Sequence, residues 1–352
     1  MLLSAPGTRF LRGVLSLVAQ CGGDEEREVC AMGQVDLTGK TVLVTLPVID
    51  EERAAFTAVV EDAGGTVVFK REPLVEESDI EGVSVAIGNV PAPRLHAPVE
   101  LEWLQTSSAG YDHYLAPGVL GPQTLLSCAS GTYGQAVSEH LFAQLLCLMK
   151  KLHLYRDNQR KNYWHDEGYV TTPAGANVLV LGAGDIGTCF ARLVAAMGAH
   201  VTGVRRRVVE PSYPYERMAT MDELSQLLPQ ADVVVCVLPS TPETQGMANA
   251  AFFAQMKDGA YFVNGGRGDF VVSEDLLAAL ETGKLAGAAL EVTNPEPLPA
   301  DHPLWQQPNA LITPHISGFW HLPAQTRQTI ALCLDNLRSY IAGEPLTNQV
   351  TR

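Results

Sequence analysis

A glycine-rich segment at residues 177–207 constrains the fold of this chain more than any other part of the sequence. It reads NVLVLGAGDIGTCFARLVAAMGAHVTGVRRR. Asn177–Leu181 is a short, largely apolar and β-branched run, which favours a buried parallel strand. Gly182, Gly184 and Gly187 follow with G-x-G-x-x-G spacing: the first permits a tight turn, the second lets the backbone approach a diphosphate, and the third allows close helix–strand packing. The pattern predicts a nucleotide-binding β-α-β unit.

The residues after the glycines complete this unit. Apolar residues recur at helical spacing as far as Gly198, which suits the end of a helix, and His200–Val204 is predicted to be the second strand. A helix that begins just after Gly184 directs free backbone N–H groups, those of Asp185 and Ile186 first, towards a bound diphosphate. With a strand before it and a helix after it, the motif favours a dinucleotide site over an ordinary glycine-rich turn.

Length and composition exclude several classes of protein. With 352 residues the chain is long enough for two domains with cores of their own. The net charge of -15 and the lack of a basic tail argue against nucleic acid as a partner, and no apolar run is long enough to cross a membrane. Seven cysteines, none in a C-x-x-C pair and several inside apolar runs (Cys147, Cys189, Cys236 and Cys333), predict buried thiols in the cytoplasm.

The first residues are expected to lie outside the folded domains. Residues 1–35 are predicted to be an N-terminal extension, either disordered or upstream of a start at Met32. The alternative is a signal peptide, since Arg9 and Arg12 precede a short apolar run. That run is short, and Gln20 is not the small residue expected before a cleavage site, so export is the weaker interpretation.

Strands and helices alternate along the rest of the chain. In the first half, strands are predicted at residues 41–47, 66–70, 84–89, 101–108 and 124–129, and a helix at 51–63. This alternation is typical of a parallel sheet covered on both faces. Because the segment has no phosphate-binding glycine pattern of its own, a substrate domain is the better interpretation than a second nucleotide site.

The second half of the chain predicts another sheet of this kind. Strands are predicted at 232–238, 260–264, 287–292 and 310–313, and helices at 222–228 and 274–280. A helix at 135–155, apolar nearly all round, is expected to be buried and to cross between the domains, and a last helix at 324–342 is expected to fold back on the first domain. The predicted fold class is α/β, with two doubly wound parallel-sheet domains: a flavodoxin-like substrate domain (36–135 and 320–352) and a Rossmann dinucleotide-binding domain (136–319).

Three polar residues follow predicted strands on the side where a ligand would bind. They are Arg267, Glu296 and His315. Hydride transfer to a carbonyl needs a donor cofactor, a cation that binds and polarises the substrate, and an acid. Arg presents a planar fork for a carboxylate, His has a pKa near neutrality, and a carboxylate can orient the His ring. Each residue alone could have a purely structural role, but their common placement favours a catalytic set. No spacing resembles a metal site.

The sequence resembles the D-isomer-specific 2-hydroxyacid dehydrogenases over residues 42–347. The segments that carry the resemblance are LQTSSAGYDHY, VLVLGAGDIG, ADVVVCVLPSTPETQGM, VNGGRGD, GAAL followed by PEPLPADHPLW, and TPHISG. It implies that Arg267, Glu296 and His315 are catalytic, and that the substrate carboxylate binds the backbone N–H groups of Ala109 and Gly110. Tyr111 and Trp320 are candidate walls of the substrate pocket, with packed aromatic side chains as the alternative.

The resemblance also implies an active site between the domains and a homodimer formed through the nucleotide domain. Besides the glycine loop, the residues expected to contact the cofactor are Arg205, Arg206, Leu238, Pro239, Thr244, Gly265, Gly266, Arg267, Glu291, His315 and Gly318.

The chain departs from the family pattern at two positions. The family usually has Asp, near the nicotinamide carboxamide, where this chain has Glu291; the consequence of the extra methylene stays open. In NAD-dependent members an acid at the end of the second strand binds the ribose hydroxyls, but here Arg205 takes its place and Arg206 and Arg207 follow. Guanidinium groups can pair with a 2′-phosphate, which favours NADP(H), with NAD still possible.

The sequence therefore predicts an enzyme that reduces a small 2-oxoacid to a D-2-hydroxyacid, reversibly, with NADPH. Two alternatives remain. A formate dehydrogenase has a similar PHISG segment but carries Gln where this chain has Glu296. A nucleotide-sensing corepressor would keep both the fold and the catalytic-looking residues, so the sequence does not separate it from an enzyme.

Overall fold

The computed structural model of the protein describes residues 34–95, 100–207 and 209–352. Nearly all of the predicted N-terminal extension lies outside these residues. Val35, near the start of the described chain, already donates a backbone hydrogen bond of 2.9 Å to Ile341 O.

The first domain is built on a parallel five-stranded sheet. Its elements are β1 (Thr41–Val44), α1 (Asp50–Asp62), β2 (Thr66–Phe69), β3 (Val83–Ile87), β4 (Trp103–Gln105) and β5 (Leu125–Ser127). The strand order is β2-β1-β3-β4-β5, and every neighbouring pair is parallel. This order is that of the flavodoxin-like sheets, so the predicted class of the first domain is confirmed.

The second domain is built on a parallel seven-stranded sheet. Its elements, after the helices α2 (Gly134–Met149) and α3 (Leu152–Arg160), are β6 (Asn177–Leu181), α4 (Asp185–Ala196), β7 (His200–Val204), β8 (Arg217–Ala219), α5 (Leu224–Leu227), β9 (Val233–Cys236), α6 (Ala250–Gln255), β10 (Ala260–Asn264), α7 (Ser273–Glu281), β11 (Leu285–Leu290) and β12 (Ala310–Ile312). The last helix of the chain, α8 (Pro323–Ala342), follows β12. The strand order is β12-β11-β10-β9-β6-β7-β8. The order reverses between β6 and β9, and in open parallel sheets such a switch point is where ligands bind. The Rossmann prediction is confirmed.

The predicted helix at 135–155 is wrong as one continuous element. α2 ends at Met149 and α3 begins at Leu152, because Lys151 between them adopts a φ of 56°. A left-handed residue cannot continue a right-handed helix. The burial of α2 is as expected: Leu141 and Leu145 are completely buried, in one cluster with the apolar side chains of β6 and α4.

The last helix folds back on the first domain, as expected. Cys333 and Leu337 of α8 are fully buried in the core that contains Trp103 of β4, and the ring of Tyr340 is stacked on that of Trp103 with centroids 4.8 Å apart. The chain therefore crosses between the two domains twice, once through α2 and once before α8.

Two smaller expectations need correction. Of the four thiols predicted to be buried, Cys236 and Cys333 are buried, whereas Cys147 and Cys189 are only half-buried. The helix predicted at 222–228 consists of the single turn of α5 flanked by 3-10 turns. Among the helices that the structure describes, none combines the length and the apolar character needed to span a bilayer.

Candidate active site

The topology of the second sheet brings the three candidate catalytic residues to one edge. Arg267 follows β10, Glu296 follows β11 and His315 follows β12, and these strands are direct neighbours in parallel register. Because the carboxyl ends of parallel strands lie at the same edge of the sheet, the segments after them meet there.

His315 and Glu296 form a hydrogen-bonded pair. Nδ1 of His315 lies 2.7 Å from Oε1 of Glu296, and about half of each side chain is exposed. With Nδ1 bonded to the carboxylate, Nε2 is the ring nitrogen that remains to exchange a proton with a ligand. The carboxylate therefore sets the orientation of the imidazole ring.

Arg267 reaches across to the first domain. Its Nε donates to Oδ2 of Asp112 at 3.0 Å, and its Nη1 donates to the carbonyl of Gly266 at 2.9 Å. Its Nη2 packs against Gly110, where a Cβ would come within 1.7 Å of it. A side chain at position 110 would therefore exclude the guanidinium from its place.

Asp112 is a site residue that the sequence reasoning missed. It belongs to the SSAGYDHY segment, in which only the backbone of Ala109 and Gly110 and the ring of Tyr111 were predicted to contact substrate. A carboxylate beside a loop that binds an anion is unfavourable unless a cation neutralises it. The presence of an aspartate in a predicted anion-binding loop is therefore the sequence signal that could have indicated an arginine partner.

The loop at Ala109 and Gly110 offers two backbone donors. Within the described part of the chain, neither N–H group donates to any acceptor. Hydrogen bonds from Ser108 Oγ to Gly110 O, 2.6 Å, and from Thr106 Oγ1 to Ser108 O, 2.8 Å, stabilise the loop. Two free N–H groups beside an arginine are suited to binding a carboxylate.

The two aromatic residues predicted to line the pocket differ in their surroundings. Tyr111 is half-buried against the apolar core of the first domain. Burial raises the pKa of its hydroxyl, so the group stays protonated. Trp320 is 39% exposed and lies in the 3-10 turn that follows the His315 segment. Both positions are compatible with the predicted role in the pocket.

The three glycines of the loop after β6 have different surroundings. Gly182 has a φ of 101°, which favours glycine. A Cβ at Gly187 would come within 2.1 Å of Gly182 O, whereas a Cβ at Gly184 would meet no atom within 4 Å. Only Gly184 therefore faces open space, at the point where α4 begins and its free N–H groups are directed outwards. This arrangement fits a diphosphate.

Asp185 turns its carboxylate away from this open space. The carboxylate accepts hydrogen bonds from the backbone of Tyr133 and Gly134, at the start of α2. The backbone N–H of Asp185, and that of Ile186 after it, can then face an anion while the side chain is held by the start of the other helix. Burial raises the pKa of this carboxyl, and the two backbone hydrogen bonds only partly offset that effect.

The remaining glycines predicted to contact the cofactor are required for packing. A Cβ at Gly266 would come within 2.6 Å of Leu238 O, one at Gly265 within 2.5 Å of the Leu141 side chain, and one at Gly318 within 2.7 Å of the Tyr133 ring. The loop after β9 is closed by a 2.9 Å hydrogen bond from Thr244 Oγ1 to Pro239 O. The loop after β9 borders the glycine loop, since the carbonyl of Val237 lies next to Gly182.

Arg205, Arg206 and Arg207 are exposed at the carboxyl end of β7. The backbone N–H of Arg205 donates to Ala219 O at 3.0 Å, which joins the start of this turn to the adjacent strand β8. Three guanidinium groups thus lie at the carboxyl end of β7, the strand next to β6.

Glu291 has more protein contacts than the sequence predicted. It is 1% exposed. Burial alone would raise the pKa of its carboxyl, but hydrogen bonds from His140, Thr313 and Ser317 outweigh it and lower that pKa to about 2. The group is therefore ionised throughout the neutral range.

Comparisons with known proteins agree with this geometry. The family model "D-isomer specific 2-hydroxyacid dehydrogenase, NAD binding domain" matches residues 142–317. An uncharacterised protein in the proB 3′ region of Corynebacterium melassecola is 31% identical over 84% of this chain and 94% of its own length.

Two solved structures show the same similarity over both domains. A D-isomer specific 2-hydroxyacid dehydrogenase family protein from Aeromonas salmonicida is 31% identical with a TM-score of 0.75, covering 89% of this chain and 99% of its own. An NADPH-dependent glyoxylate/hydroxypyruvate reductase from Sinorhizobium meliloti, in complex with NADP and sulfate, is 29% identical with a TM-score of 0.72, covering 88% and 98%.

Gly110→Ala tests whether the loop and Arg267 form one anion site. The added Cβ overlaps Nη2 of Arg267, so the guanidinium has to leave its place. We expect the affinity for oxalate, measured by isothermal titration calorimetry, to fall at least about tenfold. Gly121→Ala is the control, because its Cβ would meet only the hydroxyl of Thr124, at 3.1 Å. An oxalate affinity that is unchanged in Gly110→Ala would show that the two groups do not act together.

Proposed function

The chain belongs to the D-isomer specific 2-hydroxyacid dehydrogenase family, and we propose that it reduces a small 2-oxoacid to the D-2-hydroxyacid, reversibly, with NADPH as the preferred cofactor. The members of this family are NAD(P)-dependent oxidoreductases, and the chain is an enzyme of that class. The observation that carries the proposal is the placement of the His315–Glu296 pair and the Arg267 guanidinium on neighbouring loops beside the open glycine loop.

Each group in the cleft has a part in the proposed reaction. The N–H groups of Ala109 and Gly110 and the free Nη2 of Arg267 bind the carboxylate of the 2-oxoacid. A nicotinamide bound beside the glycine loop would supply the hydride to the carbonyl carbon. His315 donates the proton at Nε2 to the carbonyl oxygen, and Glu296 orients the ring and stabilises its charge. General acid catalysis of this kind contributes about 10²–10⁴ in rate.

The first test is reduction of a panel of 2-oxoacids by the purified protein. The panel contains glyoxylate, hydroxypyruvate, pyruvate and larger branched or aromatic 2-oxoacids, each followed by NADPH and NADH oxidation. We expect turnover with at least one small 2-oxoacid, and we expect His315→Ala to abolish it while the Kd for NADPH changes less than about threefold. Loss of cofactor binding in His315→Ala would make His315 structural. If no 2-oxoacid of the panel is reduced but NADPH binds tightly, a nucleotide sensor would be favoured.

The proposed preference for NADPH is supported by the arginines after β7. An acid there would bind the ribose 2′-hydroxyl, whereas the exposed guanidinium groups of Arg205 and Arg206 can pair with a 2′-phosphate. The similar Sinorhizobium meliloti reductase is NADPH-dependent, which agrees with this assignment.

Replacing Arg205 and Arg206 together by Gln tests the preference. The double variant removes the positive charge that would face the 2′-phosphate, so we expect KM for NADPH to rise at least about tenfold and KM for NADH to change less than about twofold. Arg217→Gln is the control, because Arg217 is an exposed arginine of the adjacent strand β8 that pairs with Glu223. Equal effects on both cofactors would contradict the assignment.

We also propose a homodimer formed through the nucleotide domain, in the cytoplasm. The segment between α2 and β6 leaves large aromatic side chains uncovered: Trp164 and Tyr169 are fully exposed, and Tyr163 is 55% exposed. Exposed apolar groups in one segment are typical of an interface. The cysteines that the structure describes are free thiols, which suits a reducing compartment.

Sedimentation equilibrium tests the dimer. We expect the wild type to have twice the mass of the chain, and Trp164→Ser with Tyr169→Ser to shift it towards the monomer because the uncovered rings are the candidate contacts. Tyr213→Ser is the control, since Tyr213 is 71% exposed outside this segment. A wild-type monomer would overturn the proposal.

A further inference from the structure

The carboxylate of Glu291 accepts hydrogen bonds from residues that precede and follow His315 in the chain. Its Oε1 accepts the backbone N–H of Ser317, and its Oε2 accepts the hydroxyl of Thr313. The backbone carbonyl of Glu291 accepts the N–H of His315 itself, at 3.0 Å. One residue thus makes hydrogen bonds to the turn before, at and after the histidine.

The turn needs such support because its backbone is strained. His315 has a φ of 51°, in the left-handed region that side-chain-bearing residues rarely adopt. Such a conformation persists only where the surroundings determine it from several sides. The hydrogen bonds from Glu291 are made by a side chain that is almost completely buried, where competition from water is least.

Thr313 joins the same group to the crossing helix α2. Its hydroxyl oxygen lies 2.9 Å from Nε2 of His140 and accepts from Nε2 of Gln144 at 2.8 Å. His140 Nε2 also lies 3.3 Å from Glu291 Oε2. We call Glu291, Thr313, Ser317, His140 and Gln144 the Glu291 network. It connects the His315 turn to the helix that links the two domains.

Both carboxylate oxygens of Glu291 accept hydrogen bonds from donors of the protein. A carboxylate can accept on both sides, whereas a neutral amide presents one acceptor and one donor. Gln at position 291 would leave one N–H or O–H donor of the network without an acceptor, in a buried place where an unpaired donor is costly. The longer reach of Glu, compared with Asp, suits a residue that spans from β11 to Ser317.

We propose that Glu291 is a positioning residue that fixes the backbone of His315 through Thr313 and Ser317, and that it does not act as a ligand of the nicotinamide. This deepens the proposed function and rests on it, since it assumes that His315 is the acid. The proposal is based on two observations: the turn at His315 is strained, and the residues on either side of His315, Thr313 and Ser317, both donate hydrogen bonds to the buried carboxylate of Glu291.

Amide hydrogen exchange tests the network independently of activity. In Glu291→Gln we expect exchange at residues 313–318 to be at least about tenfold faster than in the wild type, because the acceptor of Ser317 N–H is weakened. Glu102→Gln is the matched control: Glu102 also accepts two hydrogen bonds, from Lys40 and Tyr340 at 2.8 Å each, but it lies in the first domain. Unchanged exchange at 313–318 in Glu291→Gln would overturn the proposal.

Kinetics then separate positioning from cofactor binding. For Glu291→Gln we expect kcat for the 2-oxoacid to fall at least about tenfold while the Kd for NADPH, from fluorescence titration, changes less than about threefold. A raised Kd with unchanged kcat and unchanged exchange would make Glu291 a cofactor ligand. If Glu291→Gln fails to fold, Thr313→Val, which removes one hydroxyl of the network, is measured in the same way. If the wild type reduces no 2-oxoacid, the proposed function fails, but the exchange experiment still decides whether Glu291 fixes the turn.

Discussion

The parallel register of β10, β11 and β12 is the constraint on which the rest of the site depends. Each strand ends at the same edge of the sheet, and each is followed by one of Arg267, Glu296 and His315. These residues are far apart in sequence, and the sheet alone makes them neighbours. The same edge also places the glycine loop after β6 at the switch point, so a dinucleotide there and a small ligand in the cleft would meet.

The contact between Arg267 and Asp112 extends this arrangement across the two domains. Both side chains are about one-third exposed, so the ion pair is partly screened and contributes little to stability. Its effect is geometric: with Nε on Asp112 and Nη1 on Gly266, the guanidinium plane is fixed and Nη2 is directed to Gly110. The guanidinium of Arg267 in one domain is thereby oriented by a carboxylate of the other.

The sequence predicted what local patterns determine. The glycine spacing and the apolar strands were sufficient for the class of both sheets, and the strand ends were sufficient to place Arg267, Glu296 and His315 after neighbouring strands. It did not predict what tertiary contacts determine. The break at Lys151 depends on a left-handed residue inside an apolar helical pattern, and β8 is only three residues long. Asp112 and the bonds of Glu291 involve partners far away in the chain, so no spacing rule indicates them.

The chain has a net charge of -15, which by itself would repel an anionic cofactor and a carboxylate substrate. The charges close to the site decide whether such ligands bind. Screening limits the influence of an exposed charge to about 8–10 Å at physiological salt, so the distant acidic surface matters little in the cleft. The cleft itself presents the free N–H groups at the start of α4, those of Ala109 and Gly110, the guanidinium of Arg267 and the arginines after β7. Its four acidic groups are each bonded to protein partners: Asp185 to the start of α2, Asp112 to Arg267, Glu296 to His315 and Glu291 to its network. The negative side chains of the site are therefore bonded within the protein, whereas the N–H groups of Ala109 and Gly110 have no protein acceptor among the described residues.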